Sequence, residues 1–322
     1  MPFFLDSQNP PAIEAWLHSQ RLLPAGQRVL SAARAGEGNM NLTLRVVTPN
    51  GSLILKQARP WVEKYPSIPA PDERALVEAD FYNTIAAEPS IAGLMPRLLG
   101  HSAEDRILVL EDLFPAADCT GVYATGDFHP ANLRALTAWL QALHSRCTDP
   151  HLAARFANPK MRALNHAHIF RLPLRRDTGW NLDDWTPGLA LAAAELWNDS
   201  AYCGRVEELG HIYLGTGVCL VHGDFFPGSW MRTENSVYVI DPEFCFWGQP
   251  EFDHGVMFAH LLLARAPRST LDICQPASPL ASAFAGVEIM RRLIGVAQLP
   301  LPYGIEEKVR LLEISRQMVL AL

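Results

Sequence analysis

The chain has 322 residues and a formal net charge of -7, and this length suits one large domain or two modest ones. Hydrophobic residues make up 49% of the chain and charged residues 19%, which is typical of a globular protein and excludes a disordered one. The acidic balance argues against a broad surface for nucleic acid or for an anionic membrane.

The six cysteines are scattered and include no C-x-x-C pair. This spacing argues against a zinc site or a disulfide framework and favours free thiols in a reducing compartment. The N-terminus lacks the basic region and the long apolar core of a signal peptide. No apolar run reaches the length that a membrane span needs. We therefore expect a cytoplasmic protein that binds neither nucleic acid nor a membrane.

In chain order, the first predicted elements are a helix over residues 9–23 and two strands within 28–47 that flank a Gly-rich turn. Gly36 and Gly38 permit positive φ angles and a close backbone approach, and Asn39 and Asn41 tolerate the left-handed region or donate their side-chain amides. Alone, such a turn between strands is usually just a hairpin. A Pro-Asn-Gly turn follows at 48–51 and strongly predicts a second hairpin.

Lys56 ends the next apolar strand, over residues 52–56. A lysine in such a strand is disfavoured unless it has a partner. The alternative is a lysine on an edge strand that points to solvent. The following predicted helix, over residues 72–82, offers Glu78 as the first choice of partner and Glu73 as the second.

Two more antiparallel strands are predicted within residues 95–101 and 106–113. Residues 1–113 therefore form a predicted first lobe, an antiparallel sheet with one inserted helix. Residues 114–322 form a predicted larger lobe, which is mostly helical. A sheet domain next to a helical one predicts a cleft near their junction. Helices of the second lobe are predicted near residues 130–146, 187–197, 252–265, 281–296 and 305–322.

Two aspartates, Asp224 and Asp241, each follow an apolar run with the composition of a strand. A hairpin-like return with its turn at residues 232–236 would bring both carboxylates to the same end of the strand pair. One aspartate can orient and deprotonate a hydroxyl, while the other holds Mg²⁺ against phosphates. The alternative is that both are turn residues that cap strands. The combined pattern favours a phosphoryl-transfer site.

The order of these motifs resembles the protein-kinase-like fold of the aminoglycoside phosphotransferase and choline kinase group, and within it the 5-methylthioribose kinase family. This resemblance implies an α+β, two-lobed fold, an enzyme of methionine salvage and a homodimer. It also implies that residues 1–113 form the nucleotide-binding lobe and that residues 114–322 form the lobe that carries catalysis and substrate binding. The motifs that carry it lie at residues 36–42, 52–58, 222–229, 239–248, 252–255 and 290–297.

The resemblance also implies ATP and Mg²⁺ as cofactors. Glu78 would hold Lys56 against the α- and β-phosphates, and the connector at 110–113 would offer backbone groups to the adenine edge. Ser229 stands where many kinases of this fold have a metal-binding asparagine. The implied ATP-binding residues are Asn39, Lys56, Glu78, Glu111, Asp112 and Leu113, and the implied metal ligands are Asp241, Glu243 and Ser229.

On the acceptor side, the resemblance implies that Asp224 is the catalytic base for the 1-hydroxyl of 5-methylthioribose. It also implies that Arg291 or Arg292 reaches the sugar or its developing phosphate. Neighbours on a helix point about 100° apart, so we do not expect both arginines to serve one substrate. The alternative is that one or both pair with acidic residues at the surface.

Other readings stay open at this point. The chain has Phe225-Phe-Pro227 where the family follows its catalytic aspartate with Leu-His-Thr, so a polar group beside the acceptor is lost. The acceptor could therefore be another sugar, an amino alcohol or an aminoglycoside. A nucleotide-binding pseudokinase that scaffolds a partner is the non-enzyme alternative. The presence of Lys56, Asp224 and Asp241 argues against it.

Overall fold

The computed structural model describes residues 2–36, 38 and 40–322. The chain separates into two compact units, which we call the first unit (Met1–Ala116 with Tyr238–Glu243) and the second unit (Ala117–Val237 with Phe244–Leu322). The chain thus returns to the first unit for six residues before it re-enters the second. The predicted division after residue 113 did not include this excursion.

The first unit is built on a five-stranded antiparallel sheet. Its strands are β1 Ser31–Arg34, β2 Leu42–Thr48, β3 Gly51–Gln57, β6 Leu98–Ser102 and β7 Ile107–Glu111. They lie in the order β1-β2-β3-β7-β6. A two-stranded ribbon and three helices complete the unit: β4 Trp61–Val62, β5 Tyr65–Pro69, α1 Pro10–Ser19, α2 Arg74–Ile85 and α3 Pro89–Ala92.

One face of this sheet is buried because β2 alternates apolar and polar residues. Leu42, Leu44 and Val46 are buried in one cluster with Ile13 and Leu17 of α1. The register pairs residues 48 and 51, as the Pro-Asn-Gly turn predicts. Strand β3 lies between β2 and β7, so its lysine is on a central strand. The edge-strand alternative for that lysine is therefore wrong.

The second unit is mostly helical, and its helix α12 is buried on nearly all sides. Its helices are α4 Val122–Thr125, α5 Pro130–Arg146, α6 His151–Arg155, α7 Pro159–His166, α8 Leu189–Asn198, α9 Ser200–Leu214, α10 Pro250–Leu263, α11 Arg268–Leu271, α12 Pro279–Ile294 and α13 Ile305–Leu320. Its strands are β8 Ala117–Asp118, β9 Cys219–Val221, β10 Trp230–Arg232 and β12 Phe246–Gly248, while β11 Val237–Val239 leads into the first unit.

The predicted turn at residues 232–236 is present, and there the N–H of Thr233 donates to the carbonyl oxygen of Ser236 at 3.0 Å. The strand that precedes Asp224 does not pair with the strand that precedes Asp241, so that part of the predicted hairpin is wrong. Strand β9 pairs antiparallel with β12, in the register Val221 to Phe246. Residues 246–248 are not predicted to be a strand from the sequence. In the structure, the buried backbone groups of β9 need hydrogen-bond partners, and β12 supplies them. No helix in the described part of the chain is long and apolar enough to cross a membrane.

Candidate active site

In the first unit, Lys56 projects from β3 into a group of carboxylates. Its Nζ lies 2.7 Å from Oε2 of Glu78 and 2.8 Å from Oδ1 of Asp241. The lysine side chain is only 5% exposed, whereas that of Asp241 is 43% exposed. The predicted ion pair between Lys56 and Glu78 is therefore present. The structure also brings Asp241, the predicted metal ligand, to the same ammonium group.

Burial and charge oppose each other in this group. Burial lowers the pKa of Lys56, but Asp241, Glu78 and Glu243 outweigh it and hold that pKa well above its usual value. Burial raises the pKa of Glu78 to about 7, against the attraction of Lys56. Lys56 is therefore a cation at neutral pH, and Glu78 is a carboxyl group that takes up a proton readily when its partner is removed.

Asp241 has a φ angle of 61°, in the left-handed region that non-glycine residues seldom adopt. It lies in the excursion, close after Val239, whose N–H donates to the carbonyl oxygen of Leu94 at 2.7 Å. Such backbone strain is common at functional sites. Here it accompanies a carboxylate that is partly exposed beside a buried lysine.

Glu243 is anchored by Asn41, which the sequence offers as an amide donor without a partner, and by Arg74, which the sequence did not single out. Its Oε2 accepts from Nδ2 of Asn41 at 2.9 Å and lies 3.1 Å from Nε of Arg74. Arg74 is completely buried and also donates to Oδ1 of Asn41 and to the carbonyl oxygen of Met40. Asn41 and Met40 follow the Gly-rich turn, so Arg74 connects that turn to Glu243. The predicted ATP-binding Asn39 lies outside the described residues.

The carboxylates of the first unit suit a hard cation. Mg²⁺ prefers oxygen ligands and is usually bound by one or two carboxylates together with substrate phosphates. Asp241 fits this role because its carboxylate is partly exposed. Glu243 is 5% exposed and already paired with Arg74, so it fits less freely. Among the described residues, no group of three His, Cys, Asp or Glu side chains converges to hold a metal.

The connector at the end of β7 carries side chains that make ion pairs. Glu111 lies 3.2 Å from Nε of Arg97, and Asp112 accepts from Nε of Arg45 at 2.6 Å and from Oγ of Ser52 at 2.6 Å. Burial tends to raise the pKa of Asp112, but the bonds from Arg45 and Ser52 hold it below its usual value. These contacts fix the connector on the sheet. The predicted backbone contacts of Glu111, Asp112 and Leu113 with adenine stay a prediction.

In the second unit, the loop that carries Asp224 is held by a buried carboxylate. Asp253 of α10 accepts from the backbone N–H of His222 at 2.7 Å and of Gly223 at 2.9 Å. Gly223 has a φ angle of +85°, and a Cβ there would lie 2.2 Å from the carbonyl oxygen of Phe244. Only glycine fits this turn. Asp253 belongs to the motif at 252–255, but no role is predicted for it from the sequence.

Ser229 closes the same loop from the other side. Its Oγ donates to the backbone oxygen of Asp224 at 2.9 Å, and the residue is almost completely buried. This hydrogen bond gives the hydroxyl a structural partner within the loop. Ser229 belongs to the second unit, whereas the other two predicted metal ligands, Asp241 and Glu243, belong to the first. Its predicted role as a metal ligand stays a prediction.

Arg291 and Arg292 of α12 both approach Asp224. The Nη2 of Arg292 lies 3.3 Å from Oδ1 of Asp224, and the Nη1 of Arg291 lies 3.9 Å from the same oxygen. Both guanidinium groups thus approach one carboxylate, because each side chain is long enough to bend back. That the two arginines do not serve one substrate stays a prediction. The alternative of a surface acid is wrong: both arginines contact Glu288, which is 1% exposed. The sequence did not single out Glu288, although it lies one turn earlier on the same helix.

Phe226 occupies the position where the resembling family has a histidine. The guanidinium carbon of Arg292 lies 4.7 Å from the centre of its ring, which is within the range of a cation–π contact. The aromatic ring thus supports the arginine instead of offering a polar group to the acceptor.

A lysine paired with a helix glutamate in a sheet unit, and a loop aspartate in a helical unit, define the class of small-molecule kinases with a protein-kinase-like fold. Solved structures agree in fold. A spectinomycin phosphotransferase in complex with ADP and spectinomycin matches with a TM-score of 0.56 at 11% identity, over 98% of each chain. A choline kinase from Streptococcus pneumoniae matches with a TM-score of 0.53 at 14% identity, over 98% of this chain and 100% of its own. The predicted two-lobed α+β fold is confirmed.

The model of the phosphotransferase enzyme family matches residues 31–273, and the chain belongs to this family. A methylthioribose kinase of a Geobacillus species is 27% identical over 92% of this chain and 85% of its own length. A methylthioribose kinase of Exiguobacterium sibiricum is 29% identical over 75% of this chain, and the match spans 63% of that relative. These similarities confirm the predicted resemblance and the phosphotransferase class.

Proposed function

We propose that the chain is a kinase dependent on ATP and Mg²⁺ that phosphorylates the 1-hydroxyl of 5-methylthioribose, a step of methionine salvage. Its similarity to methylthioribose kinases supports this acceptor. The observation that carries the proposal is the approach of two buried guanidinium groups to Asp224. It favours a neutral acceptor over a cationic one.

A choline or an aminoglycoside carries a positive charge near the hydroxyl that is phosphorylated, and such a cation is stabilised by a carboxylate that faces it. Here Arg291 and Arg292 already balance the charges of Asp224 and Glu288. A neutral sugar needs no such carboxylate, and its oxygens accept hydrogen bonds from guanidinium N–H groups. The arginine pair therefore favours a neutral sugar.

The roles of the residues follow from their contacts. Asp224 accepts the proton of the sugar hydroxyl and aligns the oxygen for attack. Arg291 and Arg292 stabilise negative charge that develops on the acceptor side. Lys56, held by Glu78, contacts the α- and β-phosphates of ATP. Asp241 and Glu243 would hold Mg²⁺, which neutralises phosphate charge when it is bound.

An acceptor screen with ATP and Mg²⁺ tests the proposal. We expect turnover of 5-methylthioribose to a 1-phosphate, identified by phosphorus NMR, and no turnover of choline or kanamycin. Turnover of a cationic acceptor without turnover of 5-methylthioribose would reject the assigned substrate. ATP binding without turnover of any acceptor would favour the pseudokinase. We further propose a cytoplasmic homodimer, and light scattering on the purified protein measures the oligomeric state.

A further inference from the structure

Glu288 is a buried carboxylate whose two oxygens are both occupied. Its Oε1 accepts from Nε of Arg292 at 2.5 Å and lies 3.2 Å from Nε2 of His260. Its Oε2 accepts from Nη1 of Arg291 at 3.0 Å. The arginines lie three and four residues further along α12, so all three side chains share one side of the helix. Glu288 thus bonds both guanidinium groups that approach Asp224.

His260 of α10 extends this arrangement away from Asp224. Burial lowers the pKa of His260 to about 4, so its ring is neutral at pH 7. Burial opposes ionisation of Glu288, yet Arg291 and Arg292 hold its pKa well below the usual value. An ionised carboxylate only accepts hydrogen bonds, so the ring proton of His260 is assigned to Nε2. Its Nδ1 then accepts from the hydroxyl of Tyr123 at 2.6 Å.

Two carboxylates and two guanidinium groups balance in charge within this cluster. Without Glu288, Asp224 would be the carboxylate left to balance both arginines. Its ion pair with Arg292 would tighten from 3.3 Å, since an uncompensated buried charge moves toward whatever counter-charge remains. The proposed catalytic base would then be held by a guanidinium group instead of by the hydroxyl of the acceptor.

We propose that Glu288 is a positioning residue, which directs the guanidinium groups of Arg291 and Arg292 so that Asp224 stays available to a sugar hydroxyl. This inference rests on the proposed function. Glu288 acts through the arginines and does not itself touch the acceptor. His260 and Tyr123 fix its orientation from behind.

The kinetic test is Glu288→Gln, which keeps the shape of the side chain and removes its charge. We expect kcat/KM for the acceptor to fall by about 10²-fold, the effect of a small misplacement near the reacting atoms. The KM for ATP should stay within about twofold, since ATP contacts are not altered. Glu288→Asp keeps the charge and should recover most of the loss.

Asp199→Asn is the matched control. It makes the same change from carboxylate to amide at an arginine contact of the second unit, where Oδ2 of Asp199 lies 2.7 Å from Nε of Arg316. We expect its acceptor kinetics to equal those of the wild type. A Glu288→Gln enzyme with wild-type acceptor kinetics, or a loss equal to that of the control, would overturn the inference.

Two further measurements keep the inference separate from the proposed substrate. If the wild type turns over a different alcohol, the assigned substrate fails and Glu288 is judged with that alcohol. If it turns over none, a crystal structure of Glu288→Gln decides: guanidinium groups that keep their positions beside Asp224 overturn the inference. If Glu288→Gln does not fold, Tyr123→Phe takes its place, because it removes the hydroxyl that holds His260 against Glu288. Unchanged acceptor kinetics in Tyr123→Phe would then overturn the inference.

Discussion

Oδ1 of Asp224 and Nη2 of Arg292 lie 3.3 Å apart within the second unit, and the side chain of Asp224 is 17% exposed. A carboxylate in this setting accepts hydrogen bonds and can take a proton from a hydroxyl. The same contact means that an acceptor hydroxyl competes with a guanidinium group for one oxygen. Asp224 is therefore a base whose availability depends on how Arg292 is held.

The first prediction concerns Asp224→Asn. The amide cannot take up the proton, so kcat should fall by about 10²–10⁴-fold. Binding of ATP, measured by calorimetry, should not change, because the substitution leaves Lys56 and Asp241 in place. A circular dichroism spectrum equal to that of the wild type controls for folding. An unchanged kcat would remove Asp224 from its assigned role.

The second prediction concerns Lys56→Met. Loss of a preorganised charge at the phosphates should lower kcat/KM for ATP by about 10²–10³-fold. Folding should survive, because Glu78, whose pKa is already raised by burial to about 7, can take up a proton when the lysine is gone. Steady-state kinetics and thermal unfolding measure the two effects separately.

Lys308→Met is the control for this prediction. Lys308 is also buried, but it lies in the second unit and donates to Oγ1 of Thr186 at 2.6 Å. Its loss should leave the KM for ATP unchanged. If both lysine variants lowered kcat/KM for ATP equally, the effect would come from stability and not from the phosphates.

Local patterns in the sequence predicted the parts of the site that depend on near neighbours. Lys56 was predicted because a lone ammonium group in an apolar strand needs a partner, and the next helix supplied Glu78. Strand β9 was predicted as an element, but its pairing with β12 was not. An apolar period identifies a strand and says nothing about which strand lies beside it.

The contacts that were missed join residues far apart in the chain. The amide of Asn41 donates to Glu243, 202 residues later, and Arg74 lies against the same carboxylate. Nothing in the sequence around Arg74 distinguishes it from an arginine at the surface. Its complete burial in the structure shows its role. Glu288 was within reach of sequence reasoning, because a glutamate three and four residues before two arginines on a helix must meet them.

The third prediction compares two arginine variants in the first unit. Arg74→Met leaves Glu243 buried without its cation and should lower the free energy of unfolding by about 3–5 kcal/mol. Arg97→Met breaks an exposed pair with Glu111 and should cost less than about 1 kcal/mol. Urea unfolding measures both. Equal effects of the two substitutions would show that burial of the Arg74 pair does not determine its contribution.

The fourth prediction concerns the pH dependence of stability. Burial lowers the pKa of His260 from 6.5 to about 4, and Arg292 and Arg291 add to this, although the hydrogen bond that His260 donates to Glu288 opposes it. The other near polar group is the hydroxyl of Tyr123. Between these two pKa values the unfolded chain binds a proton that the folded chain does not, so the free energy of unfolding falls as the pH falls.

His260→Gln removes this titration and keeps a polar side chain. The variant should be less stable than the wild type near neutral pH. The amide of glutamine cannot occupy the positions of both ring nitrogens, which bond Glu288 and Tyr123. The stability difference should shrink by about 2 kcal/mol between about pH 7.5 and about pH 5, since the wild type alone loses the contribution of a neutral histidine. Urea unfolding at several pH values measures the difference, in which the titration of all other groups cancels. A difference that stays constant over this range would show that the folded protein takes up the proton on His260 as readily as the unfolded chain does.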